Sequence, residues 1–193
     1  MIFRFAIILF VTLVLTSELN AAQPLKARVP GGIGLLLLQP DHKELAIYRE
    51  PHLSRIADKP VTSLPQLQFI TATSPQVPII VTSRKPGFYR IVYDDAEREG
   101  WIETGKSGEQ FLRWADLLTG RKVSLITGLR KEYYTLKNSP TPAAATVAPI
   151  EKGKPVAVIS VEGNWMQVIT EANTSGWIRW QDENGRLVIG FAI

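Results

Sequence analysis

Short stretches of β-branched and aromatic residues, separated by glycine-containing turns, dominate the hydrophobic pattern of this chain. Residues 156–161 and 165–169 are two such stretches, and Glu162-Gly163-Asn164 lies between them. β-Branched and aromatic side chains favour strands, and a short turn with glycine joins antiparallel neighbours. The pattern therefore predicts a tight β-hairpin over these residues.

The same type of pattern recurs along the chain. Lys85-Pro86-Gly87 and Asn184-Gly185 are further hairpin turns, and Leu35-Leu36-Leu37-Leu38 is a continuous apolar run typical of a buried strand. We expect Gly153 and Gly163 to adopt positive φ angles in turns, a conformation that glycine adopts without steric cost. Alternating Val156, Val158 and Val168 are expected to fill an interior, so the chain is predicted to be all-β.

Residues 109–118 are the exception, because their apolar side chains recur at helical spacing. Ser107 and Gln110 have the spacing of a capping box, and Gly120 has the position of a C-terminal stop. The segment predicts a short helix that packs the two flanking parts of the chain together.

An internal duplication is indicated by two Gly-Trp-Ile triplets, Gly100-Trp101-Ile102 and Gly176-Trp177-Ile178. Counting back 12 residues from each tryptophan leads to Tyr89 in the first case and Trp165 in the second. Markers in the same order at constant spacing favour a tandem repeat.

We therefore expect two copies, residues 33–105 and 121–193, joined by a linker over 106–120 that contains the helix. The first copy carries an insertion from His52 to Val77, which is expected to be a long irregular loop because it contains three prolines. Long loops are either functional or merely tolerated, and both alternatives stay open for the insertion. About 70 residues per copy, with short strands, favour two small barrels.

Residues 1–22 have the pattern of a secretory signal peptide. Arg4 is followed by an apolar run from Phe5 to Leu15, and Ala21 and Ala22 are small residues suited to cleavage. The alternative is an uncleaved anchor, which would bring the chain into contact with a membrane. Both alternatives export the rest of the chain, so a periplasmic or secreted location is expected.

Composition excludes several classes of activity. The chain has no cysteine, which removes disulfides and cysteine nucleophiles, and only two histidines, which leaves little material for a metal site. The net charge of +4 favours acidic partners such as cell-wall polymers, but the basic residues are scattered, so nucleic acid is not expected. We expect no cofactor and no bound metal.

Residues 132–180 resemble a bacterial SH3 domain of the SH3b type. The resemblance rests on the segments Leu136-Lys137-Asn138-Ser139-Pro140, Lys152-Gly153, Gly163-Asn164-Trp165 and Gly176-Trp177-Ile178. Residues 33–105 resemble it more weakly, since they lack the Lys-Gly pair. The resemblance implies two tandem SH3-like β-barrels and a binding module rather than an enzyme, and exported domains of this type often bind peptidoglycan.

The candidate ligand-binding residues are aromatic. By the resemblance, Trp165 has the position of a groove tryptophan, and Tyr89 is its expected counterpart in the first copy. Trp180 is a further surface candidate, and Tyr134 is another because it and Tyr133 should point to opposite faces of a strand. The alternative for Trp165 is a structural role under the hairpin.

Four other features are interpreted as structural. Trp101 and Trp177 are expected in the core, and the acidic run over residues 94–99 is expected to be a solvated turn. His42 and His52 are ten residues apart, and a metal shared between them is disfavoured.

Three functions remain open at this point. The leading hypothesis is a non-catalytic module of the cell envelope that recognises peptidoglycan or another wall component. The second is a protein-interaction adaptor or scaffold in a periplasmic complex. A hydrolase is the least favoured, because the two copies leave no segment large enough for a separate catalytic domain.

Overall fold

Among the described residues, strands are the main regular structure, and the helices are short. The computed structural model describes residues 29–73, 75–105 and 109–193. The predicted signal peptide, residues 1–22, lies outside the described residues. Within the described ranges, no helix has the length and apolar character needed to cross a membrane.

The first sheet is antiparallel and has seven strands. In chain order these are β1 (Gly34–Leu38), β2 (Glu44–Tyr48), β3 (Arg55–Pro60), β5 (Val77–Lys85), β6 (Phe88–Val92), β7 (Glu99–Glu103) and β8 (Gln110–Arg113). Their spatial order is β3-β2-β7-β6-β5-β1-β8.

The second sheet has eight strands, one of which comes from the first half of the chain. These are β4 (Ile70–Thr71), β9 (Lys122–Leu125), β10 (Thr135–Lys137), β11 (Thr146–Pro149), β12 (Pro155–Glu162), β13 (Trp165–Ile169), β14 (Ser175–Arg179) and β15 (Ile189–Ala192). Their spatial order is β11-β10-β14-β13-β12-β9-β15-β4.

The two sheets share one topology once β4 is set aside. Strands β3, β2, β7, β6, β5, β1 and β8 occupy the same positions as β11, β10, β14, β13, β12, β9 and β15. The structure is thus all-β, with two SH3-like sheets and a short helix at the junction, and the predicted fold class is confirmed.

The predicted turns and interior residues are also confirmed. Gly87, Gly153, Gly163 and Gly185 all have positive φ angles in turns. Val156, Val158 and Val168 are buried in the second half.

The predicted helix over residues 109–118 is wrong in its first half. Residues 110–113 form β8, which pairs with β1, and the helix α1 spans only Trp114–Leu118. Gln110 therefore caps no helix, and Ser107 lies outside the described residues. Gly120 does follow the helix with a φ of 81°, as a C-terminal stop requires.

The insertion is not an irregular loop. It contributes β3 to the first sheet, and β4 then pairs in parallel with β15, the last strand of the second sheet. Further backbone bonds run from Phe191 to Phe69 and from Ile193 to Thr71, with N···O distances of 2.9 Å. Residues 61–73, which we call the clasp, extend from the first half and cover the edge of the second sheet.

The two halves share a hydrophobic core, which explains the leucine run in β1. Leu36 and Leu38 face the interior of the first sheet, whereas Leu35 and its cross-strand partner Ile80 belong to the core of the second half. Because β1 is buried on both faces, its sequence does not alternate. Trp114 from α1 joins the same shared core.

Candidate functional site

A groove of about 300 Å³ opens beside the β12–β13 hairpin of the second half. We call it the Trp165 groove. It is lined by Glu132, Tyr133, Thr135, Lys137, Pro142, Trp165, Arg179 and Glu183.

Strand register places the aromatic and basic side chains of the groove together. Trp165 is paired with Arg179 across β13 and β14, so both lie on the outer face, while Met166 and Ile178 next to them are buried in the core. The Arg179 guanidinium lies 5.0 Å from the centre of the Trp165 ring, within the range of a cation–π contact. Trp165 is half-buried, which leaves part of the ring available to a ligand.

A network of charges centred on Glu183 fixes one wall of the groove. Its carboxylate lies 3.2 Å from both Arg130 and Arg179, and the Tyr133 hydroxyl donates to it at 2.9 Å. A hydrogen bond from its own backbone amide, followed by the bond from Tyr133, holds the pKa of Glu183 below its ordinary value. Burial raises the pKa of Tyr133, so the phenol remains a donor at neutral pH.

Lys137 occupies the groove without a carboxylate partner. Its ammonium donates to the carbonyl oxygen of Ala144 at 3.1 Å and to the hydroxyl of Thr146 at 3.3 Å. Both acceptors are neutral, and no ion pair to Lys137 occurs among the described residues.

This barrel and groove can be compared with known families. Residues 130–182 match the family model of the bacterial SH3 domain. The match spans β10 to β14 and every groove residue except Glu183. The resemblance seen in the sequence is confirmed for this SH3 unit.

Comparisons with curated proteins and with solved structures do not indicate a function. No curated protein matches the chain. The solved structure of NlpC1 from Trichomonas vaginalis is similar at 10% identity and a TM-score of 0.33, covering 82% of this chain and 49% of that one. The chain thus spans about half the length of NlpC1, and a likeness this low carries no argument about function.

The predicted counterpart of Trp165 in the first half is wrong by one residue. Phe88 is paired with Glu103 as Trp165 is with Arg179, whereas Tyr89 has the position of the core residue Met166. The loop over 93–98 is one residue longer than the loop over 170–174, so counting back from the tryptophans shifted the alignment. Tyr89 stacks on Phe111 at the edge of the first core.

Two further site candidates prove to be core residues. Trp180 is 4% exposed and packs on Trp114, with ring centres 5.4 Å apart, while its indole N–H donates to the Gly163 carbonyl. Tyr134 is 5% exposed and its hydroxyl donates to the Ile126 carbonyl at 2.6 Å. Neither side chain is available to a ligand, because each lies between packed elements with its polar atom bonded internally.

The expectation that one of the two neighbouring tyrosines is exposed is also wrong. Tyr133 and Tyr134 both lie in a 3-10 turn, Lys131–Tyr134, and both are buried. Tyr133 nevertheless lines the groove with its hydroxyl. Alternation along a strand does not apply to a 3-10 turn, which the sequence analysis did not identify.

The tryptophans of the Gly-Trp-Ile triplets lie on the outer faces. Trp101 is buried there, with the Lys85 ammonium 4.6 Å from its ring centre, but Trp177 is only half-buried. The isoleucines Ile102 and Ile178 fill the interiors instead. Trp101 is therefore buried as predicted, but on the outer face of its sheet, whereas the prediction of burial is wrong for Trp177.

The acidic run is an exposed turn, as predicted, and it is also held by internal hydrogen bonds. Asp94 accepts hydrogen bonds from the backbone of Ala96 and Arg98, each at 3.1 Å. Glu97 makes a bidentate pair with Arg186 of the other half, with both distances 2.7 Å.

The two histidines have separate environments. His42 lies 3.9 Å from Glu109, whereas His52 packs edge-on against Phe88. In the described ranges, no group of three or more His, Asp or Glu side chains is arranged to hold a metal ion.

Proposed function

We propose that this chain is an exported, non-catalytic module of the cell envelope that binds peptidoglycan or another wall component through the Trp165 groove. Bacterial SH3 domains often bind cell-wall components, which gives coarse support to the class of ligand. The observation that carries the finer proposal is a half-buried tryptophan beside charges of both signs in one groove. Export is supported by the signal pattern of residues 1–22.

Peptidoglycan offers chemistry that matches this lining. Its sugar rings and peptide backbones present flat surfaces, on which the Trp165 ring can stack. Its stem peptides carry carboxylates, which suit Arg179 and Lys137, and amines, which suit Glu132. Ion pairs hold Arg179 and Glu132 in place before a ligand arrives, and hydrogen bonds to Ala144 and Thr146 hold Lys137, which reduces the entropy lost on binding.

We assign binding rather than a reaction to the groove. Glu183 is bonded to Tyr133 and paired with two arginines, which keeps its pKa low. A carboxylate with a lowered pKa is a poor proton donor at neutral pH, so it does not suit general acid catalysis.

We further propose that the first half is a diverged second copy with a supporting role. The shared strand order supports the common origin. At the position of Trp165 the first half has Phe88, which is 4% exposed and packs against Tyr48 and His52. Because the buried Phe88 side chain fills this position, the first half has no groove like that at Trp165. Its role is to stabilise the second half through the shared core.

Co-sedimentation with purified peptidoglycan sacculi tests the proposed function. Residues 23–193, the chain after the predicted cleavage, would be mixed with sacculi at low and physiological salt. We expect binding that persists at physiological salt and a loss of about tenfold or more in affinity in Trp165→Ala, since a buried tryptophan anchor dominates small interfaces.

Tyr89→Ala is the matched control, because it removes an aromatic ring of similar burial outside the groove. Both variants would be checked for folding by circular dichroism. Equal losses in the two variants would contradict a site at Trp165. Binding that disappears at physiological salt would show nonspecific attraction by the net positive charge. No binding at either salt concentration would favour the adaptor hypothesis, and crosslinking would then be used to search for a protein partner.

A further inference from the structure

Lys137 differs from the other basic residues around the groove in how its charge is compensated. Arg130 lies 2.8 Å from Glu132 and 3.2 Å from Glu183, and Arg179 is also paired with Glu183. These carboxylates are therefore already engaged with arginines. Within the part of the chain that the structure describes, the ammonium of Lys137 has only the two neutral acceptors Ala144 and Thr146.

The geometry of Lys137 leaves one donor for a ligand. A lysine ammonium has three N–H donors, and two of them are bonded, one to Ala144 in the loop that follows β10 and one to Thr146 at the start of β11. These two bonds hold the charge at one point of the groove, so little side-chain entropy remains to be lost on binding. A fixed ammonium without a counter-charge attracts an anion, and in the partly desolvated groove this attraction exceeds that on an open surface.

The corresponding position of the first half supports a specific role for this charge. Lys137 is paired with Trp177, and Tyr48 is paired with Trp101 in the same register. The first half therefore has no cation at this position. Its pocket there, of about 200 Å³, is lined by Glu44, Glu103 and Glu109. His42 also lines it, 3.9 Å from Glu109, but the carboxylates outnumber it, so the pocket disfavours an anion.

We propose that Lys137 makes the Trp165 groove selective for a carboxylate, and that the stem-peptide carboxylates of the cell wall are its ligands. The carboxylate accepts the free N–H of Lys137, and the adjoining part of the ligand lies on the Trp165 ring. The choice of the cell wall as source rests on the proposed function, whereas the selectivity for a carboxylate rests on the groove alone.

Binding of synthetic peptides to residues 23–193 tests this selectivity. The probes are a peptidoglycan stem tetrapeptide with free carboxylates and the same peptide with every carboxyl converted to a carboxamide. We expect the acid to bind about tenfold or more tightly than the amide at physiological salt, as for a charge-assisted hydrogen bond. Lys137→Gln should abolish the preference and Lys137→Arg should retain it.

Lys122→Gln is the matched control, since it removes the same charge from an exposed position on β9. Equal affinity of the wild type for acid and amide would overturn the proposal, and this outcome needs no variant to fold. A preference that survives in Lys137→Gln would overturn the role of Lys137.

An unrelated L-peptide with the same number of carboxylates separates the two sources. If sacculi bind but the acid preference is absent, the inference fails and the proposed function stands. If the L-peptide binds more tightly than the stem peptide and sacculi fail to bind, the selectivity for a carboxylate stands, whereas the cell-wall ligand and the proposed function both fail.

Discussion

At the scale of single residues, the repeated Gly-Trp-Ile triplet has a packing reason. A Cβ atom on Gly176 would lie 2.9 Å from the Leu136 Cβ and 3.0 Å from the Lys137 carbonyl oxygen. Gly100 meets Ile47 and Tyr48 in the same way. The glycine therefore allows the neighbouring strand to approach closely.

Gly176→Ala tests this close approach. We expect the free energy of unfolding to fall by about 1–3 kcal/mol, because the added methyl group pushes β14 away from β10. Chemical denaturation measures the change. Ser175→Ala, an exposed neighbour, should stay within about 0.5 kcal/mol of the wild type, and an equal loss in both variants would argue against the contact.

For single residues, the sequence predicted one of the groove residues and missed another. Trp165 was predicted as a groove residue, with a structural role as the alternative, and its half-buried ring lines the groove named after it. Lys137 was part of the resemblance but was not recognised as a site residue, because a lysine at the end of a strand is ordinarily a solvated side chain. Its unpaired charge becomes evident only when the partners of Arg130 and Arg179 are known.

At the scale of elements, the insertion acts as a clasp between the two halves. Leu67 and Ile70 bury their side chains in the shared core, and β4 covers the edge of β15. An uncovered edge strand promotes association with other chains, so the clasp also protects the second sheet. Prolines predicted a loop here, but the pairing of two residues with a strand 121 positions later has no local signature.

Ile70→Ala tests the clasp. Removing this buried side chain should lower the free energy of unfolding by about 2–4 kcal/mol, because it leaves a cavity in the shared core. It should also make residues 61–73 more sensitive to proteolysis. Leu53 lies in the same insertion and is 64% exposed, so Leu53→Ala should change neither property. Comparable effects in both variants would contradict the role of residues 61–73 as a clasp.

At the scale of the whole molecule, the halves are joined by packing and by charge. Trp114, Trp180 and Phe191 form one aromatic cluster in the shared core. On the surface, the bidentate pair of Glu97 and Arg186 bridges the halves. The hydrogen bonds from Arg186 hold the pKa of Glu97 below its ordinary value of 4.5.

Glu97→Gln tests the bridge through its pH dependence. Since the folded state binds this proton more weakly than the unfolded state, the pair stabilises the fold above pH 4.5, and its contribution disappears as the pH falls through the lower, folded pKa. After solvent screening we expect a loss of about 0.5–1 kcal/mol at pH 7 and none at strongly acidic pH, measured by denaturation across pH.

Glu50→Gln is the control for this measurement, because it breaks an exposed pair with Lys85 inside the first half. A pH-independent loss in Glu97→Gln would show that the charge of Glu97 is not responsible. No loss at pH 7 would show that the bridge contributes nothing to the docking of the halves.

The sequence by itself determined the class of fold, several turns and the interior valines of the second sheet. These properties depend on residues that are neighbours along a strand or within one turn, such as the positive φ of Gly163 and the inward valines of β12. The resemblance to the SH3b type also predicted Trp165 as a groove residue, and its ring lines the groove beside Tyr133.

Only the tertiary structure decided which of the other aromatic residues are accessible. Trp180 and Tyr134 are buried because distant elements pack on them, and Phe88 rather than Tyr89 corresponds to Trp165 because one loop is a residue longer. The clasp, the Glu97–Arg186 bridge and the uncompensated charge of Lys137 likewise depend on which side chains meet in space. Contacts of this kind join positions far apart in the chain, and no local pattern records them.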